Sequence, residues 1–232
     1  MATGTGCTDC PVLANPLFRA LPEDARERVT CMFRPTEVRA GTPLCLEGFP
    51  AHSVFAIRSG TCKEVRYRSS GKEQVFRAYG PGDFMGLDAI VLDSYPYTLA
   101  TTTQATVCHA RAEQFLDLAL GNPVLAREIL RGLCDSLRQM RDEVSALGVR
   151  SAVARVARLL ISEAHRHEPD PSDPSHAIAL PLNRRDTAAM LGMAEESLSR
   201  QLTELERSGA IGRRGRLILI ESLNQLEEIA TD

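Results

Sequence analysis

The chain has 232 residues, of which 44% are hydrophobic and 25% charged, and its formal net charge is −3 at pH 7. This composition is typical of globular proteins, and the length is sufficient for two modest domains. The small negative charge excludes a basic field over the whole surface that would attract nucleic acid by itself, and it excludes a strongly acidic tail.

The first residues, MATGTGCTDCPVLANP, lack the cationic and apolar regions of a secretory signal, so we expect a protein that is not exported. No stretch approaches the roughly 18 to 20 apolar residues of a membrane span. Seven cysteines, an odd number in a chain without an export signal, favour reduced thiols in the cytoplasm.

The region from about Val38 to Ala110 is predicted to form many short strands. Runs of β-branched and aromatic residues alternate there with glycine turns, for example at Gly41 and Gly82. Short strands at regular spacing indicate an antiparallel sandwich or jelly roll. The preceding segment PLFRALPEDARERVTCMF is predicted to be helical, and together they form a first domain over residues 1–122.

Residues 123–150 are predicted to form one long helix with a narrow apolar stripe. Spacings of three and four residues alternate over about three heptads, which makes an a/d seam. The seam would pack either on the helix's own domain or against a second copy in a parallel homodimer, and its narrow, continuous form favours the homodimer. Its members are Ala126, Leu130, Leu133, Leu137, Met140, Val144 and Leu147.

Residues 151–232 have the element order of a winged helix-turn-helix. A helix in GVRSAVARVARLLISEAHRHE is followed by a proline-rich loop, two short helices and two strands around a turn at Arg214-Gly215. In the helical pair, Ala188 suits the crossing of the helices, Gly192 suits the turn, and Leu198 suits the inner face.

The ends of the two short helices also carry recognisable signals. Asn183 is a predicted N-cap of the first helix, and Asp186 three positions later makes a variant of the capping box. Glu195 and Glu196 would lie in the first turn of the second helix, where acids stabilise the positive end of the helix dipole. The negative charge at this position therefore has a structural reason.

The second short helix carries residues suited to reading base edges. Glu196 and Arg200 are four residues apart and so share one face of the helix. A carboxylate accepts from cytosine N4, and a guanidinium donates to guanine O6 and N7. We expect this pair to read a step containing a G·C base pair, with the glutamate also orienting the guanidinium, and Ser199 to contact a base or a phosphate.

Phosphate contacts are expected from arginines around this helix. Residues 180–220 carry only a small surplus of arginines over acids, so a few specific contacts must replace bulk attraction. For the arginines of the wing, a solvated turn is the alternative to phosphate contact. The candidate residues are Arg184, Arg185, Arg213, Arg214 and Arg216.

The sequence resembles the CRP/FNR family of bacterial transcription regulators from about Cys7 to Ile220. The likeness rests on the roll AGTPLCLEGFPAHSVFAIRSGTCK…GPGDFMG, the long helix and the recognition helix. It is nearest to the FNR branch, whose recognition helix carries Glu-x-x-Ser-Arg, here Glu196, Ser199 and Arg200. The resemblance implies an α+β fold with a cyclic-nucleotide-binding-like β-jelly roll, a long dimerisation helix and a winged helix-turn-helix. It also implies a homodimer that binds a TTGA…TCAA-like palindrome and contacts RNA polymerase.

The resemblance also indicates what the roll does not bind. Cyclic-nucleotide members hold the cyclic phosphate with an arginine and a hydroxyl residue at the end of the segment that begins here at Gly82-Asp83. At that place this chain has SYPYTLA, and residues 78–110 contain no lysine or arginine. Because a buried phosphate without a cationic partner is strongly unfavourable, cAMP is not expected as a ligand.

FNR-type sensors carry an oxygen-labile [4Fe–4S] cluster on four cysteines, and the resemblance matches three of them, Cys7, Cys10 and Cys108. PVLANP stands where the fourth is expected, so Asp9, a water or Cys31 would have to complete the set. Three hypotheses stay open: a cluster with an unusual fourth ligand, a thiol switch or zinc site at the CxxC motif, and no metal. The cysteines that we expect to pack as small apolar residues are Cys45, Cys62 and Cys134.

Two classes of function are therefore compared. The favoured one is a cytoplasmic, sequence-specific regulator that binds double-stranded DNA as a homodimer and responds to oxygen, NO or redox state. The alternative is a redox- or metal-dependent enzyme with a cupin-like roll and a working CxxC. The roll lacks the clustered histidines and glutamate of a cupin cage, and no Gly-rich phosphate loop, nucleophile elbow or paired-carboxylate pattern is present. We therefore expect no enzymatic activity.

Overall fold

The computed structural model describes residues 10–69, 71, 73–146, 151–166, 177–180, 182–215 and 217–231. The chain divides into two compact units, residues 1–138 and residues 139–232. The first contains a β-roll and the second a helical domain with a small sheet. In the described part of the chain, no helix has the length and apolar character needed to cross a membrane.

Short strands separated by glycine turns build most of the first unit, as the sequence predicts. The strands are β1 (Arg34–Val38), β2 (Pro43–Cys45), β3 (Ser53–Ser59), β4 (Cys62–Tyr67), β5 (Glu73–Tyr79), β6 (Phe84–Met85), β7 (Thr98–Thr101) and β8 (Ala105–Arg111). The helices are α1 (Pro11–Ala14), α2 (Pro16–Arg19), α3 (Glu23–Met32), α4 (Ala112–Leu120) and α5 (Pro123–Ala146), with a 3₁₀ turn at Leu87–Ile90.

The eight strands form two four-stranded antiparallel sheets, ordered β1-β8-β3-β6 and β2-β7-β4-β5. A close backbone contact at Gly60 explains one of the predicted glycine turns. A Cβ there would lie 2.4 Å from the carbonyl oxygen of Gln104, and φ is +82°, so only glycine fits between β3 and β4. The predicted antiparallel roll and the α+β class are both confirmed.

The segment that precedes the roll packs on it through aromatic rings. Ring centroids of neighbouring pairs lie 5.2 to 6.2 Å apart, mostly edge to face, which is a favourable arrangement for aromatic side chains. The Asn15 amide donates to the carbonyl oxygen of Gly82 at 2.8 Å and adds a polar contact. The rings belong to Phe18, Phe33, Phe84 and Phe115.

Helix α5 has two apolar faces, of which the first unit covers only one. Leu125 and Ile129 are buried in the core of the roll unit. The predicted seam residues on the other face are 63%, 45%, 50% and 52% exposed, and no described residue covers them; in order they are Leu130, Leu133, Leu137 and Met140. The side chain of Val144 and the whole of Leu147 lie outside the described residues. Within the described residues, these four side chains are therefore not packed on the helix's own domain.

The second unit has the helix, helix, helix, hairpin order that the sequence predicts, with one further strand and one further helix. The helices are α6 (Ala152–Arg166), α7 (Arg184–Met190), α8 (Glu195–Arg207) and α9 (Leu223–Thr231). The strands are β9 (Ala177–Ala179), β10 (Ile211–Arg214) and β11 (Leu217–Ile220), in the sheet order β10-β11-β9. Apolar side chains from α6, α8 and α9 form its core, among them Leu160, Leu198, Leu202, Leu205 and Leu226.

The predicted packing of three cysteines is confirmed for two and wrong for the third. Cys45 and Cys62 are buried in β2 and β4. Cys134 is exposed, because it lies on the part of α5 that no described residue covers. The prediction failed there because helical periodicity does not reveal which face of a helix has a partner.

Burial of the two strand thiols predicts a loss of stability in alkali. It raises the pKa of Cys45 from 9.0 to about 11 and that of Cys62 to about 12. Below pH 9 both states keep these protons, whereas above it the unfolded chain loses them first, so stability falls as pH rises toward the folded pKa values. Each thiol contributes a slope of at most about 1.4 kcal/mol per pH unit in this window.

Urea unfolding between pH 8 and pH 11 measures this slope. In Cys62→Ala, the free energy of unfolding is expected to fall less steeply with pH, by up to about 1.4 kcal/mol per pH unit. The matched control is Cys31→Ala, because Cys31 is exposed, and its slope should equal that of the unmodified protein. An unchanged slope for Cys62→Ala would show that this thiol does not titrate on unfolding.

Candidate nucleic-acid interface

The turn between α7 and α8 is built by local signals that the sequence shows. The Asn183 side chain caps α7 by accepting from the backbone N–H of Asp186 at 2.9 Å. Gly192 adopts φ +64°, a conformation that costs little only for glycine. Just after it, the Met193 N–H donates to the carbonyl oxygen of Ala188 at 2.9 Å and closes the turn. The two helices therefore meet as the sequence predicts.

The same segment shows why α8 presents a fixed face. Ala188 and Leu198 are almost fully buried in the core of the second unit, as predicted. Leu202 and Leu205 continue the buried stripe one and two turns farther along α8. Since apolar residues at these spacings hold one side of the helix, the opposite side is exposed to solvent.

Two glutamates occupy the first turn of α8. Ala194 at the N-cap offers no side-chain hydrogen bond, so Glu195 and Glu196 are the acidic groups at the positive end of the helix dipole. Both side chains are exposed. Their predicted location is confirmed, and it leaves Glu196 accessible to a ligand in front of the helix.

The exposed face of α8 brings the predicted base-reading residues together. Glu196 and Arg200 are exposed, and Ser199 is half-buried between them. The Arg200 Nη2 donates to Ser197 Oγ at 3.1 Å, and among the described residues no hydrogen bond or ion pair joins Arg200 to Glu196. The serine one turn before Arg200 holds its guanidinium here, and orientation of the guanidinium by Glu196 on DNA stays a prediction.

The predicted phosphate-binding residues divide into three groups. On α7, Arg184 and Arg185 are exposed, and Arg184 Nη1 approaches Ser199 Oγ at 3.4 Å. In the wing, Arg214 is exposed beside the predicted turn at Gly215, where φ is +65°. Arg213 is bonded to a glutamate of α8, and Arg216 lies outside the described residues.

Glu206 is the partner of Arg213 and ties β10 to α8. The Arg213 Nε donates to Glu206 Oε2 at 2.9 Å, and its Nη2 donates to the same oxygen. The hydrogen bond from this arginine lowers the pKa of Glu206 below 4.5. Sequence reasoning missed both Glu206 and Ser197. The spacing of Ser197 and Arg200 on one helix could have indicated their contact, whereas the helix-to-strand pair required the tertiary structure.

The cysteines proposed as ligands lie in the first unit or outside the described part. Cys10 stands before α1 and Cys108 lies in β8, and both are buried. Cys7 is outside the described residues. Within those residues, no three His, Cys, Asp or Glu side chains come together in a set that could hold a metal ion. Of the three proposed cysteine ligands, the described residues therefore include two.

Two tyrosine–carboxylate pairs lie in the roll, and one of them includes Tyr97 of the segment SYPYTLA. The Tyr97 hydroxyl donates to Asp88, and the Tyr79 hydroxyl donates to Glu64 Oε2 at 2.6 Å. Burial, together with the bond to Asp88, raises the pKa of Tyr97, and burial also raises that of Glu64. The neighbouring Thr98 hydroxyl accepts from the backbone N–H of Glu47 at 3.1 Å. Each of these polar side chains therefore has a hydrogen-bond partner within the roll.

Two known domain families match the sequence. The Crp-like helix-turn-helix domain matches residues 154–229, which include α7, α8 and the wing. The cyclic nucleotide-binding domain matches residues 35–122, which include nearly all of the β-roll. Together the two matches cover more than half of the chain.

Curated regulators match over almost the whole length. The sequence is 28% identical over 224 residues to the Anaerobic regulatory protein of Haemophilus influenzae, covering 96% of this chain and 87% of that protein. It is 27% identical over 217 residues to the Transcriptional activator protein FnrA of Stutzerimonas stutzeri, covering 92% and 88%. It is 26% identical over 225 residues to the Fumarate and nitrate reduction regulatory protein of Escherichia coli K12, covering 97% and 90%.

Solved structures share the fold. FixK2 from Bradyrhizobium japonicum superposes with a TM-score of 0.76 at 25% identity, covering 85% of this chain and 96% of that chain. A CooA mutant from Carboxydothermus hydrogenoformans gives a TM-score of 0.74 at 20% identity, covering 93% and 95%. The second likeness is one of fold alone.

Proposed function

Because the chain belongs to the CRP/FNR family of bacterial transcription regulators, on its FNR branch, we propose that it binds a TTGA…TCAA-like palindrome as a homodimer. It is a DNA-binding transcription regulator and not an enzyme. The observation that carries the choice of palindrome is the exposed face of α8, where Glu196, Ser199 and Arg200 keep the Glu-x-x-Ser-Arg order of that branch.

The proposed reading of DNA uses the chemistry of this face. The exposed guanidinium of Arg200 donates to O6 and N7 of guanine, and the Glu196 carboxylate accepts from cytosine N4. The hydrogen bond to Ser197 holds the Arg200 side chain at the surface and restricts its conformations before it contacts a base. Phosphate contacts from Arg184, Arg185 and the wing would fix the helix in the major groove.

The homodimer is proposed from the uncovered face of α5. Four large apolar side chains stand in an a/d pattern there, and an apolar stripe of this kind is stabilised by burial against an identical stripe. A two-fold dimer places two recognition helices on half-sites about one helical turn of DNA apart. The symmetry of the proteins then matches the symmetry of the palindrome.

We propose oxygen, NO or redox state as the signal, and not cAMP. The H. influenzae relative is called an anaerobic regulatory protein, and the E. coli relative a fumarate and nitrate reduction regulatory protein. The Tyr97–Asp88 pair stands where cyclic-nucleotide members hold the phosphate, and an acidic, hydrogen-bonded pair disfavours an anion at that position. Both observations support a signal other than a cyclic nucleotide.

The cysteine set does not by itself fit a [4Fe–4S] cluster. Such a cluster usually requires four thiolates, and the candidate set holds only Cys7, Cys10 and Cys108, of which two are described. A cluster with an unusual fourth ligand, a CxxC thiol switch or zinc site, and a metal-free protein therefore stay as alternative hypotheses. When bound, a cluster would supply oxygen-labile redox chemistry, and Cys10 and Cys108 would be among its ligands.

One experiment tests the signal and the DNA target together. The protein is purified without oxygen, its visible spectrum, iron and zinc are measured, and a duplex with the TTGA…TCAA palindrome is titrated before and after exposure to air. We expect DNA binding that changes on exposure to air, and affinity at least about 10³-fold above that for a scrambled duplex. The control is the variant Cys10→Ser, whose binding should no longer respond to air.

The outcomes separate the three cysteine hypotheses. Iron with a visible absorption band indicates a cluster. Zinc without colour indicates the CxxC zinc site, and a response to air without either metal indicates the CxxC thiol switch. Neither metal and no response to air indicates the metal-free protein. Specific binding that is identical before and after exposure to air would contradict the proposed signal. Equal binding to both duplexes under both conditions would contradict the proposed palindrome.

We also propose the domain roles, the protein partner and the cellular location that are typical of the family. Residues 1–122 form the sensor domain, residues 123–150 the dimerisation helix and residues 151–232 the DNA-binding domain. RNA polymerase is the expected protein partner, and the cytoplasm, where the DNA lies, is the expected location. The coupling between the sensor and the DNA-binding domain would be allosteric, since the signal and the DNA are bound by different domains.

A further inference from the structure

Two adjacent arginines of the wing have different surroundings. The side chain of Arg213 reaches α8, where it bonds to Glu206 and its Nη2 lies 3.4 Å from Thr203 Oγ1. The side chains of the pair are 28% and 37% exposed. Arg214 is exposed, and among the described residues no hydrogen bond or ion pair engages it. The sequence alone assigned both arginines the same role.

Strand geometry explains this difference. Successive side chains of a β-strand point to opposite faces, so in β10 a side chain directed at α8 at position 213 leaves position 214 on the other face. Thr203 and Glu206 are three residues apart on α8 and therefore share the face that meets the strand. The contact is thus set by the register of the wing on the helix.

The charge of Arg213 is compensated within the protein. Both of its bonds to Glu206 reach one carboxylate oxygen, and the carboxylate would repel a phosphate brought close to the same guanidinium. A neutral pair releases no counterions from DNA, because counterion release depends on net cationic groups that neutralise phosphates. Among the described residues, Arg214 has no such compensation.

We propose that Arg213 is a positioning residue that holds the wing against the recognition helix through Glu206, and that Arg214 is the wing residue that contacts phosphate. This inference rests on the proposed binding of the palindrome. Fixing the wing relative to α8 places Arg214 at the correct distance when α8 enters the groove. Thr203 extends the contact by one turn of α8.

The dependence of DNA affinity on salt separates the two roles. Each phosphate contact contributes a slope of about −0.9 in a plot of log K against log salt concentration. Because the proposed homodimer carries two wings, Arg214→Met removes two such contacts and is expected to make the slope shallower by about 1.8. Arg213→Met is expected to leave the slope unchanged and to weaken binding about two- to five-fold per half-site at every salt concentration, as expected for the loss of one exposed ion pair in each wing.

A double-mutant cycle tests the partner. Glu206→Gln removes the same contact but leaves the charge of Arg213 uncompensated, so it is expected to weaken binding by less than Arg213→Met does. The variant with both changes should be no weaker than Arg213→Met alone. A salt slope that becomes shallower by about 1.8 in Arg213→Met, or additive losses in the cycle, would overturn the inference. Absence of binding by the unmodified protein would instead contradict the proposed palindrome, so the two failures are distinguishable.

Thermal unfolding of each variant gives the necessary control for folding. Arg213 and Glu206 lie at the surface, and we expect their variants to unfold within a few degrees of the unmodified protein. A variant that unfolds at a much lower temperature is replaced by Arg213→Gln, which removes the charge but keeps a hydrogen-bond donor for Glu206. The same unchanged salt slope and an intermediate affinity are expected for it, and a slope shallower by about 1.8 would overturn the inference here too.

Discussion

Replacing Leu137 by aspartate is expected to convert the dimer to a monomer and to weaken binding of the palindrome by about 10²- to 10⁴-fold. Leu137 lies in the middle of the uncovered apolar stripe on α5, so in a dimer its partner would be the same stripe of a second copy. A carboxylate buried there would have no cationic partner. The loss in DNA affinity follows because two linked half-site contacts become one.

Analytical ultracentrifugation measures the dimer, and a fluorescence titration of the palindromic duplex measures the affinity. The matched control is Arg138→Asp on the same helix, whose side chain is 75% exposed and paired only with Asp135 within the described residues. It adds negative charge away from the stripe and should remain a dimer. A Leu137→Asp protein that sediments like the unmodified one would contradict the assignment of the stripe as the dimer seam.

Replacing Arg200 by alanine is expected to lower the free energy of binding to the palindrome by about 1 to 3 kcal/mol per half-site. The guanidinium is exposed on the face of α8 opposite the buried leucines, and its only described hydrogen bond is to Ser197 of the same helix. Its loss therefore removes a contact to DNA without opening the core. The fold and the melting temperature should stay unchanged.

Arg207→Ala is the matched control for this change. Arg207 carries the same charge on the same helix, but it lies in the last turn of α8, far from the first turn that carries Glu196. We expect a small loss of affinity that is the same for specific and scrambled duplexes. Equal losses for the two alanine variants would mean that Arg200 acts through its charge alone.

The helix-turn-helix could be predicted because its signals are local. A small residue at Ala188, a glycine at the turn and an apolar residue at Leu198 act through steric constraints between neighbours in the sequence, and the structure has each where expected. The Asn183 cap is local in the same way. The sequence therefore contained this part of the site in full.

Other contacts could not be predicted because they join distant parts of the chain. Strand β9 has three residues and is defined by pairing with β11, about forty residues later. The Arg213–Glu206 pair depends on the register of the wing, and the Tyr97–Asp88 pair depends on how β7 returns toward the 3₁₀ turn. Charge and hydropathy patterns contain none of this information.

The exposed Cys134 and the stripe beside it illustrate a different limit. Periodicity identified the apolar face of α5, but it does not state whether that face is covered by the same chain or by another copy. The structure answers the first part, because no described residue covers the stripe. Whether a second copy of the chain covers the stripe is tested by the analytical ultracentrifugation described above.

The most direct test of the account is whether Arg200 reads the guanine of the half-site. Four affinities are measured: unmodified protein and Arg200→Ala, each with the palindrome and with a duplex in which the G·C pair of both TTGA half-sites is replaced by A·T. We predict that the base change weakens binding by the unmodified protein by about 1 to 3 kcal/mol per half-site and leaves binding by Arg200→Ala almost unchanged. The same loss for both proteins would contradict direct readout by this arginine.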